Sequence, residues 1–136
     1  MDDETFLKAF EDCTLTREEW THEAHVRMAW LYARRTDSLE NLLEKLRTGI
    51  RATNAVLSTD PTLYHETVTC AFGTLIRNRA LSPGAPDTWP EFQNAHPEFF
   101  DRHSPVLHRH YSRELLESDD ARLSYLPPDL VSLSVV

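Results

Sequence analysis

The sequence predicts an all-α protein, a single compact bundle of about five helices followed by an extended C-terminal tail. In successive segments, apolar residues recur at the 3.6-residue spacing of amphipathic helices. Residues that cap helix N-termini stand in front of these segments, and none shows the strict alternation of a strand. The chain has 136 residues, of which 40% are hydrophobic and 26% charged. We therefore expect one domain, residues 1–136, with one continuous core.

The first two predicted helices occupy the N-terminal quarter of the chain. Helix one closes near Cys13, and helix two is predicted to begin at a capping box formed by Thr16 and Glu19. Helix two extends to about Arg35, and residues 28–33 are apolar on nearly all sides. This pattern predicts a central, buried helix. The apolar face of helix one consists of Phe6, Leu7 and Phe10.

The next two helices are also preceded by capping signals. Asp37 and Glu40 form a possible capping box before a helix with one apolar stripe, which ends near Leu57. Asp60 as N-cap and Pro61 at the first helical position predict a fourth helix, which extends to about Arg79.

The C-terminal third is more broken. A loop is predicted at residues 82–87, a short helix at 90–94, and a break at His96 and Pro97. The last helix is predicted to start at Ser104 and Pro105 and to continue to residue 116. The tail is predicted to be extended and to lie over the bundle through Tyr125, Leu126, Leu130 and Leu133.

The charge and composition exclude several classes of partner. A net charge of −8 argues against binding to nucleic acid and to anionic membrane surfaces. No apolar run approaches the roughly 20 residues that span a bilayer, and the acidic first residues argue against a signal peptide. We therefore expect a cytoplasmic protein. Cys13 and Cys70 have no metal-site or redox spacing and are interpreted as small core residues.

Three histidines are the candidate metal ligands. His22 and His25 lie three residues apart on one helix face, and such a pair can hold a metal ion with a third ligand from a facing helix. His65, in the first turns of the fourth predicted helix, is the proposed third ligand. Three imidazoles suit one divalent transition metal: Zn, Fe, Ni or Cu. The alternative is that these histidines are exposed or bonded to neighbouring groups.

The residues beside His65 supply candidate catalytic and substrate-binding groups. Residues 67–69 are three consecutive β-branched residues, which lower helix propensity and favour another role for their side chains. Glu66 is a candidate fourth ligand or general acid/base, and Tyr64 a second catalytic candidate. The candidates for binding an anionic substrate are Arg47, Arg51 and Thr69. For the arginines the alternative is a solvated helix face paired with Glu44 or Glu40.

The motifs W-x-H-x-x-H at residues 20–25 and Y-H-E-T-x-T at residues 64–69 resemble those of a family of small bacterial all-helical proteins of unknown function. Residues 46–51 with Asn54, and residues 111–116, 120–122 and 128–130, are similar too, so the resemblance covers most of residues 20–130. The resemblance implies no activity. It implies that one motif is formed by His22, His25, Tyr64, His65 and Thr67.

These residues leave three functions open. The first is a small metal-dependent enzyme, with the three-histidine site between helices, acting on a small anionic molecule. The second is a non-catalytic domain that binds a small ligand between helices. The third is an interaction protein with structural histidines, and a homodimer is compatible with each. The sequence assigns no role to His103, His108 and His110 beyond structural or surface positions.

Overall fold

The computed structural model describes residues 1–101 and 105–134, and within them it confirms the all-α prediction. Five helices have seven residues or more, and no strand occurs in this part of the chain. Two 3₁₀ helices, Pro61–Leu63 and Pro97–Phe100, interrupt the series. The α-helices are α1 Asp3–Glu11, α2 His22–Arg35, α3 Leu39–Val56, α4 Glu66–Ala80, α5 Trp89–Ala95, α6 Pro105–His108, α7 Arg113–Leu116 and α8 Asp119–Leu123.

The predicted start of α2 is wrong by about one and a half turns. The capping box does form, because Thr16 N–H donates to Glu19 Oε1 (2.9 Å) and Glu19 N–H donates to Thr16 Oγ1 (3.3 Å). This capping box closes a single turn of the chain and does not start a helix. The helix begins at His22, where the Thr21 hydroxyl accepts from the Ala24 N–H. The two candidate histidines therefore lie in the first turn of α2.

The starts of α3 and α4 also differ from the prediction. Ser38, not Asp37, caps α3 by accepting from the Asn41 N–H (3.1 Å). Asp60 caps the 3₁₀ helix at Pro61–Leu63 and not α4. The α4 helix begins later, at Glu66, with His65 as its N-cap.

The core is formed mainly where α2, α3 and α4 pack against one another. The prediction for residues 28–33 of α2 is confirmed, because all six are buried. The Trp30 indole is fully buried and lies against the Trp89 ring, with 5.8 Å between ring centroids. Cys70 is buried as predicted, whereas Cys13 is half-buried just after α1, with a φ of 56°.

The α5 helix and the break after it match the prediction, but the last predicted helix does not. In place of one helix to residue 116, the structure has three short helices, α6 to α8. Ser104, the predicted N-cap, lies outside the described residues.

The tail crosses the bundle as predicted, but its side chains contribute less than expected. Leu133 packs against the core, whereas Tyr125 and Leu130 are exposed. Hydrogen bonds hold the tail instead: Tyr111 Oη donates to the carbonyl oxygen of Leu126 (2.9 Å), and Leu130 N–H donates to that of His110 (3.0 Å). Among the described helices, none is long and apolar enough to cross a membrane.

Candidate functional site

His25 lies in the first turn of α2 and is held in one orientation. Its Nδ1 is 2.7 Å from the carbonyl oxygen of Thr21, so Nδ1 carries the proton and donates, because a carbonyl only accepts. Its ring lies on the Trp20 indole with 3.8 Å between centroids. Burial lowers the pKa of His25, although the bond to Thr21 opposes this, so the ring is neutral at pH 7. A neutral ring with the proton on Nδ1 leaves Nε2 as a hydrogen-bond acceptor.

His22 is more exposed and contacts a different part of the chain. Its Nε2 donates to the carbonyl oxygen of Phe99 (2.6 Å), which connects the start of α2 to the second 3₁₀ helix. The His22 ring also makes edge-to-face contacts with the Phe72 and Phe100 rings. His22 and His25 therefore each have one ring nitrogen bound to a backbone carbonyl.

His65 is occupied as a helix cap. Its Nδ1 accepts from the Val68 N–H (3.1 Å), and its Nε2 donates to the carbonyl oxygen of Leu116 (2.8 Å). A metal ligand needs a free nitrogen lone pair, and the only lone pair of this tautomer is already used.

The described residues contain no group of three or more His, Cys, Asp or Glu side chains placed to hold a metal ion. His22, His25 and His65 are therefore not grouped as the predicted ligand set in this geometry. Metal binding stays a prediction, and elemental analysis of untagged protein measures it.

Glu66, predicted as a catalytic group or ligand, is the centre of a buried polar cluster at the start of α4. Its Oε1 accepts from Tyr64 Oη (2.6 Å), and its Oε2 accepts from Arg47 Nη2 (2.6 Å) and Nε (2.9 Å). The Cys70 thiol also donates to Oε2 (3.5 Å). Burial would raise the pKa of Glu66, but the bonds from Arg47 and Tyr64 outweigh it, so the pKa lies below its usual value. The carboxylate is ionised and surrounded by donors.

This cluster connects α3 to α4 through the contact between Arg47 and Glu66. Burial and the Glu66 carboxylate raise the pKa of the Cys70 thiol to about 11, so the thiol is protonated at neutral pH. The same two causes raise the pKa of Tyr64. Glu44, the alternative partner named for Arg47, does pair with it (3.1 Å), but Glu66 makes the closer contact.

The remaining candidates contact different groups of the chain. The Arg51 guanidinium stands over the Tyr64 ring, 4.8 Å from its centroid. Thr69 Oγ1 donates to the carbonyl oxygen of His65 (2.9 Å) inside α4. His108 is exposed at the end of α6, and His110 is buried with its Nδ1 bound to the carbonyl oxygen of Val131. His103 lies outside the described residues.

Three of the candidate residues share a cavity between α2, α3 and α4. Its volume is about 300 Å³ and its walls are mainly apolar. Among the described residues, the polar side chains in its lining are those of His22, His25 and Thr69. The rest of the lining consists of Val26, Met28, Ala29, Leu46, Ile50, Val68, Phe72, Gly73 and Ile76.

The sequence indicates the polar residues that line this cavity, His22, His25 and Thr69, but not its apolar walls. Leu46, Phe72 and Ile76 are on predicted apolar faces, where a residue that packs a core and one that lines a cavity give the same pattern. Gly73 is the one unusual position, because a Cβ there would come within 2.8 Å of a Leu43 methyl and 3.0 Å of a Leu46 methyl. A helical glycine is a signal of close helix packing, although it does not locate a cavity.

Comparison of the chain with family models, with curated proteins and with solved structures gives no match. The resemblance to small bacterial helical proteins therefore stays a prediction.

Proposed function

We propose that this protein is a cytoplasmic, non-catalytic domain that binds a small ligand in the cavity between α2, α3 and α4. The observation that supports this proposal is an apolar cavity with a neutral, fixed imidazole in its lining. Cavities of a few hundred Å³ with mainly apolar walls and a few oriented polar groups are typical of small-molecule sites.

The walls of the cavity suit a ligand with a compact apolar part. Leu46 and Ile50 from α3 face Val68 and Phe72 from α4 across the cavity, and none of the four can form a hydrogen bond through its side chain. A volume of about 300 Å³ is at the lower end for drug-sized ligands, so the ligand has one ring or a short branched chain.

The polar side chains in the lining of the cavity suit a ligand that donates a hydrogen bond. His25 uses Nδ1–H for the Thr21 carbonyl and offers Nε2 as an acceptor. The Thr69 hydroxyl donates its proton to the His65 carbonyl, so its oxygen can only accept from a ligand. A hydroxyl or N–H group on an apolar body therefore matches both side chains, and phenol is the simplest probe of this type.

The test compares phenol with toluene, in which a methyl group replaces the hydroxyl. We expect phenol to raise the melting temperature of the protein in a concentration-dependent way. Toluene should bind about three- to tenfold more weakly, since a net hydrogen bond contributes about 0.5–1.5 kcal/mol. In His25→Phe this preference should disappear.

A matched pair of variants locates the binding. Val68→Phe adds a ring in the cavity, and we expect it to abolish the shift with phenol. Val56→Phe makes the same change at an exposed position at the end of α3 and should leave the shift intact. Equal shifts in the parent and in Val68→Phe would rule out this cavity as the site.

The binding of phenol should also become weaker in acidic solution. The pKa of His25 is lowered from its usual value of about 6.5, so Nε2 is an acceptor at pH 7 and becomes protonated only in more acidic solution. Phenol affinity should be constant near pH 7–8 and fall only at a pH below the usual histidine pKa of about 6.5. The ligand-free protein must be measured at each pH, because the unfolded state protonates this histidine first and stability also falls on acidification.

A further inference from the structure

A second cavity lies between the last turns of α3, the first 3₁₀ helix and α8. Its volume is about 300 Å³, and it shares no lining residue with the cavity described above. Two arginines, Arg51 and Arg122, line it together with Asn54 and Thr59. In a chain with a net charge of −8, two guanidinium groups in one cavity are an unusual concentration of positive charge.

Arg51 is positioned without a carboxylate partner among the described residues. Its guanidinium is 4.8 Å from the centroid of the Tyr64 ring, a cation–π contact, and no ion pair with it occurs in this part of the chain. Tyr64 is itself fixed, because its hydroxyl donates to the buried Glu66. The cation–π contact uses a face of the guanidinium, so the N–H groups at its edge stay available as donors.

Among the described residues, Arg122 forms one weak ion pair. Its Nη2 lies 3.7 Å from Oδ1 of Asp119, whose side chain is 88% exposed. Pairs of this kind contribute little to stability and are readily exchanged for another anion. The other nearby carboxylate, that of Asp60, accepts from the backbone N–H and the hydroxyl of Thr62 at 2.9 and 2.8 Å.

Neutral donors and an apolar wall complete the cavity. Asn54 Oδ1 accepts from the Trp20 indole N–H (2.9 Å), which orients the amide and leaves its NH₂ group as a donor. Thr59 contributes a hydroxyl. Pro61 and Leu123 supply apolar surface beside these groups.

We propose that this cavity binds a small organic anion, with its carboxylate or phosphate group held by Arg51 and Arg122 and its apolar body against Pro61 and Leu123. Guanidinium groups match the oxygens of both head groups through paired N–H donors, so the structure defines the shared chemistry of the ligand: an oxyanion on a compact apolar body. This site is independent of the ligand-binding function proposed above.

The test is calorimetric titration at low ionic strength with benzoate, phenyl phosphate and benzamide. Benzamide has the ring of benzoate without the charge. We expect at least one anion to bind, benzamide to bind about tenfold more weakly or not at all, and added salt to weaken the binding. Binding of benzoate alone assigns a carboxylate ligand, and binding of phenyl phosphate alone assigns a phosphate ester.

Three substitutions locate the anion. Arg51→Gln and Arg122→Gln should each weaken binding about tenfold or more, whereas Arg109→Gln, at an exposed arginine outside the cavity, should leave it unchanged. Circular dichroism checks that each variant folds. Binding of neither anion, equal affinity for benzamide, or an equal loss in Arg109→Gln would overturn the proposal. Val68→Phe should not alter anion binding, so failure here and failure of the first proposal are distinguishable.

Discussion

At the scale of single residues, the polar side chains of the Y-H-E-T-x-T motif serve the structure of α4. His65 caps the helix through Nδ1. Glu66 at the first helical position accepts from Arg47 and Tyr64, and a carboxylate at this position also interacts favourably with the helix dipole. His65 therefore stabilises the start of this helix, and Glu66 connects it to α3.

Glu66→Gln should destabilise the protein by about 2–3 kcal/mol, because the neutral amide weakens the bonds from Arg47 and Tyr64 and leaves the Arg47 charge without its main partner. Urea unfolding followed by circular dichroism measures the change. Glu44→Gln removes the other carboxylate next to Arg47, but this one is 69% exposed, and we expect a change of about 0–0.5 kcal/mol. Similar losses in both variants would contradict the assignment of Glu66 as the structural partner.

At the scale of secondary-structure elements, the start of α2 depends on contacts beyond the local sequence. The Thr16–Glu19 capping box forms but does not start a long helix, because the chain leaves the helical conformation at Trp20. Its indole stacks on the Phe10 ring, 5.5 Å between centroids, and donates to Asn54 of α3. The helix restarts at His22 under a second cap, Thr21.

The contact between α1 and α3 depends on Gly49. A Cβ at this position would overlap the Phe10 ring, which is buried between Trp20 and Tyr32 and has little room to move. Gly49→Ala should therefore lower the free energy of unfolding by about 1–2 kcal/mol, because overpacking outweighs the gain in helix propensity of about 1 kcal/mol. Thermal unfolding of Thr48→Ala, at the exposed neighbouring position, is the control and should show almost no loss. A more stable Gly49→Ala variant would show that the ring can move aside.

At the scale of the whole molecule, the C-terminal tail is part of the fold. It is held across α4 by hydrogen bonds and not by a large apolar contact. Thr67 Oγ1 donates to the carbonyl oxygen of Ser124 (3.0 Å) and accepts from the Leu126 N–H (3.1 Å). The Asn78 side chain donates to the carbonyl oxygen of Ser134 near the other end of the tail.

Thr67→Val keeps the shape of this side chain and removes both hydrogen bonds to the tail. We expect a loss of about 1–3 kcal/mol, because the Ser124 and Leu126 backbone groups lose their partner. Limited proteolysis should cut the tail sooner than in the parent protein, and amide exchange at residues 124–130 should become faster. Thr48→Val, at an exposed threonine of α3, should leave both rates unchanged. Unaltered proteolysis of Thr67→Val would show that other contacts hold the tail.

The sequence alone predicted the elements that depend on local periodicity and on turn residues. The apolar run in α2, the single stripe of α3 and the break at His96 were each predicted, because helix formation and capping are governed by residues within about four positions of one another. The same local rules failed where one segment binds a distant one. Nothing in the local sequence indicates that the ring of His65 donates to the carbonyl oxygen of Leu116, 51 residues later.

Only the tertiary structure decided where the candidate sites lie. An apolar face has the same pattern whether it packs tightly or borders a cavity, so the cavity beside His25 depends on how α2, α3 and α4 meet. Arg122 lies 71 residues after Arg51, and no local pattern joins them. Their common cavity exists because α8 folds back next to the first 3₁₀ helix and the end of α3. Local sequence thus determined that the longer helices form, and the packing of the helices created the two cavities described above.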